Sequence, residues 1–124
     1  MAQPKEIRAA DWDEVLRSDM LTIIDFWHNH CPWCLRLNPV FEKVAEEYKG
    51  KAKFFKVNVL ENPANRDIAI RYGVMSTPTL LFFCDGRPVR QMLGFMPKED
   101  LKRTVEDVLR EHKECIRQST GLEL

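Results

Sequence analysis

The strongest constraint on the fold is a pair of cysteines, Cys31 and Cys34, that stands between a predicted strand and a predicted helix. The segment before the pair, Leu21–Trp27, is aliphatic and aromatic, which predicts a strand buried on both faces. Pro32 suits the first position of a helix, and the apolar residues after it recur at helical spacing as far as Gly50. A strand that leads directly into a helix is typical of α/β folds.

The rest of the chain continues this alternation of strands and helices. The predicted elements are, in chain order, a helix from Asp11, the strand 21–27, the helix from Pro32, a strand over 53–59, a helix over 62–72, two strands over 79–84 and 89–93, and a helix that begins near Pro97 and continues past residue 112. Asp85-Gly86 is a typical hairpin dipeptide, so the last two strands should be antiparallel. The order predicts an α/β fold with a central mixed sheet of four to five strands flanked by about four helices.

Composition excludes several classes of function. The chain of 124 residues has 19 Lys and Arg against 19 Asp and Glu, so its zero net charge argues against a nucleic-acid or anionic-membrane partner. Its apolar runs are too short to span a bilayer, which takes about 20 residues, and its first residues are charged where a signal peptide is apolar. We therefore expect a single domain over 1–124 that is a cytoplasmic monomer.

A chain of this size needs no disulfide or metal to stay folded, so the cysteine pair is predicted to be chemical rather than structural. A helix N-terminus favours an anion, which would hold Cys31 as the thiolate. Cys31 would then attack a substrate disulfide, and Cys34 would resolve the mixed disulfide. The chain has no Gly-x-Gly-x-x-Gly fingerprint for a dinucleotide, so we expect no cofactor other than the Cys31–Cys34 disulfide itself.

Over about residues 6–112 the sequence resembles the thioredoxin family, which leaves about 113–124 as a C-terminal extension. The matching residues are the strand Ile24-Asp25-Phe26-Trp27, the pair Cys31 and Cys34, Pro39, Lys56, the run Thr77-Pro78-Thr79, the hairpin Asp85-Gly86, and Gly94. The resemblance implies the thioredoxin fold, protein disulfides as substrates, and a thioredoxin-reductase-like electron donor.

The resemblance also implies a catalytic role for a buried acid. It makes Asp25 a group that is coupled to Lys56 and assists proton transfer at Cys34. Burial inside an apolar strand would raise the pKa of Asp25, which suits proton exchange near neutral pH. The structural alternatives are that Asp25 ends its strand in a hydrogen-bonded turn and that Lys56 is an edge-strand charge facing water.

For substrate binding, the resemblance implies a cis bond between Thr77 and Pro78 that faces Cys31, with the backbone of Thr77 pairing to an extended substrate segment. Gly94 would border the same groove, and Trp33 would give protein substrates an apolar contact. The alternatives are an ordinary trans proline, a turn glycine and an exposed aromatic residue. The remaining predicted substrate-binding residues are Trp27, His30 and Pro32.

The chain departs from the family pattern at three places. Pro32-Trp33 replaces the usual Gly-Pro and is closer to the Pro-aromatic pair of glutaredoxins, so a glutaredoxin-like, disulfide-forming or isomerising enzyme is the alternative function. His30 stands where thioredoxins usually have Trp, and Leu60 stands where the family often has Asp, so that packing on Trp27 should differ.

A less favoured hypothesis is a zinc-binding module that uses His28, His30, Cys31 and Cys34. These residues lie within seven positions of one another, too close in sequence to surround a tetrahedral ion easily. Cys84, which ends an apolar strand, is predicted to be an unreactive buried thiol. Cys115, in the extension, is predicted to lie at a solvated helix end, with a regulatory thiol and a dimer disulfide as the alternatives. The prediction is thus a thiol-disulfide oxidoreductase that reduces protein disulfides.

Overall fold

The computed structural model describes residues 4–113. Its elements, in chain order, are β1 (Lys5–Glu6), a 3-10 turn (Ala9–Asp11), α1 (Trp12–Leu16), β2 (Leu21–Trp27), α2 (Pro32–Glu47), β3 (Ala52–Asn58), α3 (Pro63–Arg71), β4 (Thr79–Cys84), β5 (Arg87–Leu93) and α4 (Lys98–Glu111). Cys115, and all of the predicted C-terminal extension after residue 113, lie outside the described residues.

The five strands form one mixed sheet in the order β1-β3-β2-β4-β5. β3 pairs in parallel with both β1 and β2, whereas β4 runs antiparallel to β2 and to β5. This is the predicted α/β architecture, with four helices flanking the sheet. Strand β1 was absent from the predicted elements, because two exposed residues give no periodic pattern.

The sheet carries a separate apolar cluster on each face. One cluster joins the sheet to α2 and α4 and includes Leu21, Ile23, Leu37, Phe41, Phe54 and Leu101. The other joins it to α1 and α3 and includes Trp12, Val15, Ile24, Phe26, Phe55 and Ile68. Because successive side chains of a strand point to opposite faces, Asp25 shares the α2 and α4 face with Ile23.

The hairpin between β4 and β5 turns at Asp85 and Gly86, which both have positive φ. Asp85 tolerates this conformation, and Gly86 leaves room for the carbonyl oxygen of Leu16, which would lie 2.8 Å from an added Cβ. The predicted hairpin is therefore present, and it also contacts the end of α1.

Two expectations concern the second half of the chain. Helix α4 ends at Glu111 and His112 has φ −121° and ψ 48°, but Lys113 is helical again, and the predicted course of the helix beyond it lies outside the described residues. Cys84 is buried at the end of β4, as expected, but it is not a free thiol.

Candidate active site

The two cysteines lie at the junction between β2 and α2, with Cys31 as the N-cap of the helix. The backbone N–H of Cys34 donates a hydrogen bond to Sγ of Cys31 at 3.1 Å, and a disulfide joins the two residues. Cys34 has no accessible surface, whereas 7% of Cys31 is exposed. The arrangement gives Cys31 the helix N–H groups that stabilise a thiolate, and it leaves Cys31 as the sulfur nearer to solvent.

The run before β4 lies against the disulfide. The bond between Thr77 and Pro78 is cis, and the carbonyl oxygen of Thr77 is 3.5 Å from Sγ of Cys31. Gly94, with φ +80°, donates its backbone N–H to the carbonyl oxygen of Pro78 at 2.8 Å. The structure thus brings Thr77, Pro78 and Gly94 together beside Cys31, although their roles in binding remain predictions.

Asp25 is a buried acid without a hydrogen bond. It lies at the fifth position of the seven-residue strand β2 and has no accessible surface, so it does not end the strand in a turn. Neither carboxyl oxygen has a hydrogen-bond partner among the described residues. Desolvation raises the pKa of Asp25 from its ordinary value of 3.8 to about 7, against the opposing effect of Lys56 and with a further increase from Glu6.

Lys56 lies on β3, between the strand that carries Asp25 and the strand that carries a second acid, Glu6. In the sheet register, Lys56 of β3 is opposite Asp25 of β2 on one side and opposite Glu6 of β1 on the other. Residues at directly opposite positions share one face of a sheet, so the three side chains form a row on the face of α2 and α4. Lys56 therefore does not lie on an edge strand, which excludes that alternative.

Two neighbours hold the ammonium group of Lys56. Its Nζ donates to Oδ1 of Asn38 in α2 at 2.8 Å, and it lies 4.1 Å from the centroid of the Trp27 ring. The indole Nε1 of Trp27 in turn donates to Oε2 of Glu6 at 3.1 Å. Trp27 thus contacts two members of the charged row, Glu6 through its indole N–H and Lys56 through the face of its ring.

An exposed aromatic pair stands on the other side of the cysteines. Trp33 is 53% exposed and its ring centroid lies 5.9 Å from that of Phe95, which is also exposed. The guanidinium carbon of Arg36 lies 4.7 Å from the Trp33 centroid. Pro32 is exposed beside them at the first position of α2. This surface offers apolar and cation–π contacts next to Cys31.

A groove of about 390 Å³ lies along the opposite flank, beside Thr77. Its lining is mainly apolar and includes Val59, Leu60, Ile70, Val74 and Met75. Met75 is 93% exposed and Ile70 is 60% exposed, so the groove is open to a macromolecular ligand.

The two histidines of the loop contact each other, and the backbone carbonyl of His28 also accepts a hydrogen bond from the N–H of Cys31 at 3.4 Å. The backbone N–H of His30 donates to Nδ1 of His28 at 3.1 Å, and the two ring centroids are 6.3 Å apart. His30 is exposed, at the rim of the site.

The zinc hypothesis gains no support from this geometry. Across residues 4–113, no group of three or more His, Cys, Asp and Glu side chains could hold a metal ion. Both cysteines that it requires as thiolates are joined in the disulfide.

None of the described helices is long and apolar enough to cross a membrane.

Glu6, Asn38, Arg36 and Phe95 were absent from the sequence prediction. Glu6, Asn38 and Phe95 reach the site through contacts between distant parts of the chain, such as the bond between Glu6 and Trp27, which lie 21 positions apart. Arg36 contacts Trp33 three positions before it on the same helix, which helical spacing could have indicated.

Comparison with known proteins agrees with this geometry. The family profile described as Thioredoxin matches residues 3–107. The thioredoxins of Staphylococcus aureus strains Mu50 and MW2 are each 41% identical to the chain over 101 residues, which is 82% of this chain and 93% of each of those proteins. The similarity therefore extends over both halves of the sheet and far beyond the two cysteines.

Proposed function

This chain belongs to the thioredoxin family and is a thiol-disulfide oxidoreductase, and on that basis we propose that it reduces protein disulfides with Cys31 as the attacking group and Cys34 as the resolving group. The observation that carries the proposal is the Cys31–Cys34 disulfide at the start of α2. Members of the family use this disulfide instead of an organic or metal cofactor.

The cycle moves two electrons from the protein to its substrate. The Cys31 thiolate attacks one sulfur of the substrate disulfide, which forms a mixed disulfide and releases the other sulfur as a thiolate. The Cys34 thiolate then attacks Sγ of Cys31, which restores the Cys31–Cys34 disulfide and releases the second substrate thiolate. The two leaving thiolates take up protons, and the enzyme ends in the oxidised form described above.

Asp25 is the proposed proton acceptor for Cys34. Cys34 is buried, and a buried thiol must lose its proton before it can attack. An acid whose pKa is raised to about 7 is half ionised near neutral pH, so it can take up that proton and release it later. Lys56 stabilises the ionised form of Asp25, which is the form that accepts the proton.

Substrate binding is proposed at the surface around Cys31. The backbone of Thr77 would pair with an extended segment of the substrate, next to the cis Pro78 and the backbone of Gly94. Trp33 would cover apolar substrate side chains, and Trp27, His30 and Pro32 complete the surface. Backbone pairing is tolerant of sequence, so the same site suits many protein disulfides and a thioredoxin-reductase-like donor.

We expect the enzyme to work as a cytoplasmic monomer that binds neither nucleic acid nor membranes. The zero net charge of the chain supports the second half of this expectation, that nucleic acids and anionic membranes are not partners. The alternative direction of use, disulfide formation or isomerisation, is favoured only by the Pro32-Trp33 pair between the cysteines.

A matched pair of serine variants tests the cycle. With insulin as the protein disulfide and dithiothreitol as the electron donor, Cys34→Ser should accumulate a covalent complex with an insulin chain, because its mixed disulfide has no resolving thiol. Cys31→Ser should form no such complex, and both variants should lose turnover. Mass spectrometry of the non-reduced mixture and an insulin reduction assay provide the readouts.

A covalent complex formed by the Cys31→Ser variant would mean that Cys34, and not Cys31, attacks the substrate disulfide. Retention of wild-type turnover by either variant would contradict the two-cysteine cycle.

A further inference from the structure

The charged row beneath the active site contains one base between two acids. Lys56 is opposite both Glu6 and Asp25 in adjacent parallel strands, so its side chain leaves the sheet between those of the two acids. Its Nζ is held by Oδ1 of Asn38 and by the Trp27 ring rather than by a hydrogen bond to Asp25. The charge of Lys56 therefore lowers the pKa of both carboxyl groups, that of Asp25 and that of Glu6.

Glu6 is held in this row through Trp27. Its Oε2 accepts a hydrogen bond from Nε1 of Trp27 at 3.1 Å, and the indole ring of the same Trp27 carries the ammonium of Lys56 on its face. The two acids are two strands apart, which is about 10 Å between their backbones. At that distance a carboxylate acts on a buried acid through its field, without direct contact.

We propose that Glu6 is a positioning residue that, through its negative charge at the end of the row and its hydrogen bond with Trp27, sets the pH range over which Asp25 accepts the proton of Cys34. The inference rests on the proposed role of Asp25 for its effect on turnover. The effect on Asp25 itself depends only on the geometry of the row, so the two can be tested separately.

Each charged group that acts on Asp25 shifts its pKa in a defined direction. From β3, Lys56 lowers the pKa of Asp25, and from β1, Glu6 raises it. From α2, the Cys34 sulfur is held in the disulfide of the oxidised protein and carries no charge.

The pKa of Glu6 is in turn shifted by burial and by the groups around it. Desolvation of the carboxyl group raises the pKa of Glu6, the bond from Trp27 and the charge of Lys56 lower it, and Glu61 raises it again. Glu61 is itself 3.8 Å from Nε of Arg8, which offsets part of its charge.

The variant Glu6→Gln isolates the charge of Glu6. Its amide oxygen can still accept the bond from Trp27, while the negative charge, which raises the pKa of Asp25, is gone. The loss of this charge favours the ionised form of Asp25, so the midpoint of its titration should fall by about 0.5 to 1 pH unit. The measurement is the carboxyl carbon shift of Asp25 in the oxidised protein, followed by NMR from pH 5 to pH 9.

The matched control is Glu14→Gln, which removes an exposed acid that pairs with Lys5 and is not among the groups acting on Asp25. It should leave the Asp25 midpoint unchanged. A third variant, Glu6→Ala, removes both the charge and the acceptor for Trp27, and it should also lower the midpoint. An unchanged or raised midpoint in Glu6→Gln would overturn the proposal, as would an equal shift in Glu14→Gln.

Turnover distinguishes this inference from the proposed function. If Asp25 serves Cys34, the acid limb of the pH profile for insulin reduction should move to lower pH in Glu6→Gln by the same amount as the NMR midpoint. A shifted NMR midpoint with an unmoved pH profile would retain Glu6 as the residue that tunes Asp25 and reject Asp25 as the proton acceptor, which overturns the catalytic half of the inference.

Discussion

Asp25 has no accessible surface, and neither of its carboxyl oxygens has a hydrogen-bond partner among the described residues. An unpaired buried acid lowers the stability of the fold when it ionises, because the charge loses its hydration. Lys56 offsets part of this cost through its charge, from the adjacent position of the sheet. The fold thus retains, at a cost in stability, a group that can exchange protons near neutral pH.

Removing the charge of Asp25 should change how stability depends on pH. The pKa of Asp25 is about 7 in the folded protein and near 3.8 in the unfolded chain, so between these values the folded protein binds more protons. The free energy of unfolding therefore falls as pH rises through this range, and about 3 kcal/mol of the loss lies between pH 5 and pH 9. Asp25→Asn should lack this loss in denaturant unfolding of the oxidised protein.

The control for this prediction is Asp67→Asn, because Asp67 is an exposed acid on α3. It should keep the wild-type dependence of stability on pH. Parallel pH profiles for the wild type and Asp25→Asn would mean that Asp25 ionises in the folded protein as it does in water.

At the level of elements, Asn65 connects α3 to the rest of the fold. It has no accessible surface, its Oδ1 accepts the backbone N–H of Ala9 at 2.8 Å, and its Nδ2 donates to the carbonyl of Asn58 at 2.9 Å. Asn58 ends β3, and its side chain donates to Asn29 in the loop before the cysteines at 2.7 Å. One buried amide therefore fixes the strand end that supports the active-site loop.

Replacement of this amide should cost more than the loss of a helix cap. Asn65→Leu leaves two part-buried backbone groups, the N–H of Ala9 and the carbonyl of Asn58, without these partners, which should lower the free energy of unfolding by about 2 to 4 kcal/mol. Asn62→Ala, which removes only the side-chain cap of α3, should cost about 1 kcal/mol. Denaturant unfolding of both variants provides the comparison, and an equal or smaller loss for Asn65→Leu would contradict the connecting role.

Sequence patterns predicted the elements with strong periodicity and missed those without it. The strand that contains Asp25 and the helix after Cys31 are long apolar patterns, so local sequence was enough to locate them. Strand β1 has two exposed residues, and it is defined by its pairing with β3 rather than by its composition. Glu6 and Asn38 were missed for the same reason, since their partners come from other elements.

At the scale of the whole molecule, the sheet brings distant parts of the chain to one end. Cys31 follows β2, the cis Pro78 precedes β4, and Gly94 follows β5, and hydrogen bonds or close contacts join all three regions. Two apolar clusters fix the sheet from both faces, so these loops are held on a rigid base. The same sheet carries the row of Glu6, Lys56 and Asp25.

The central claim is that the Cys31–Cys34 couple gives electrons to protein disulfides. Its reduction potential tests this claim most directly, by titration in defined thiol–disulfide buffers with the fluorescence of Trp27 and Trp33 as the signal. We predict one two-electron transition at about −270 mV or below, which is the range of a thioredoxin-like reductant. A potential near about −200 mV or above would contradict the account and assign the Pro32-Trp33 site to glutaredoxin-like or disulfide-forming chemistry.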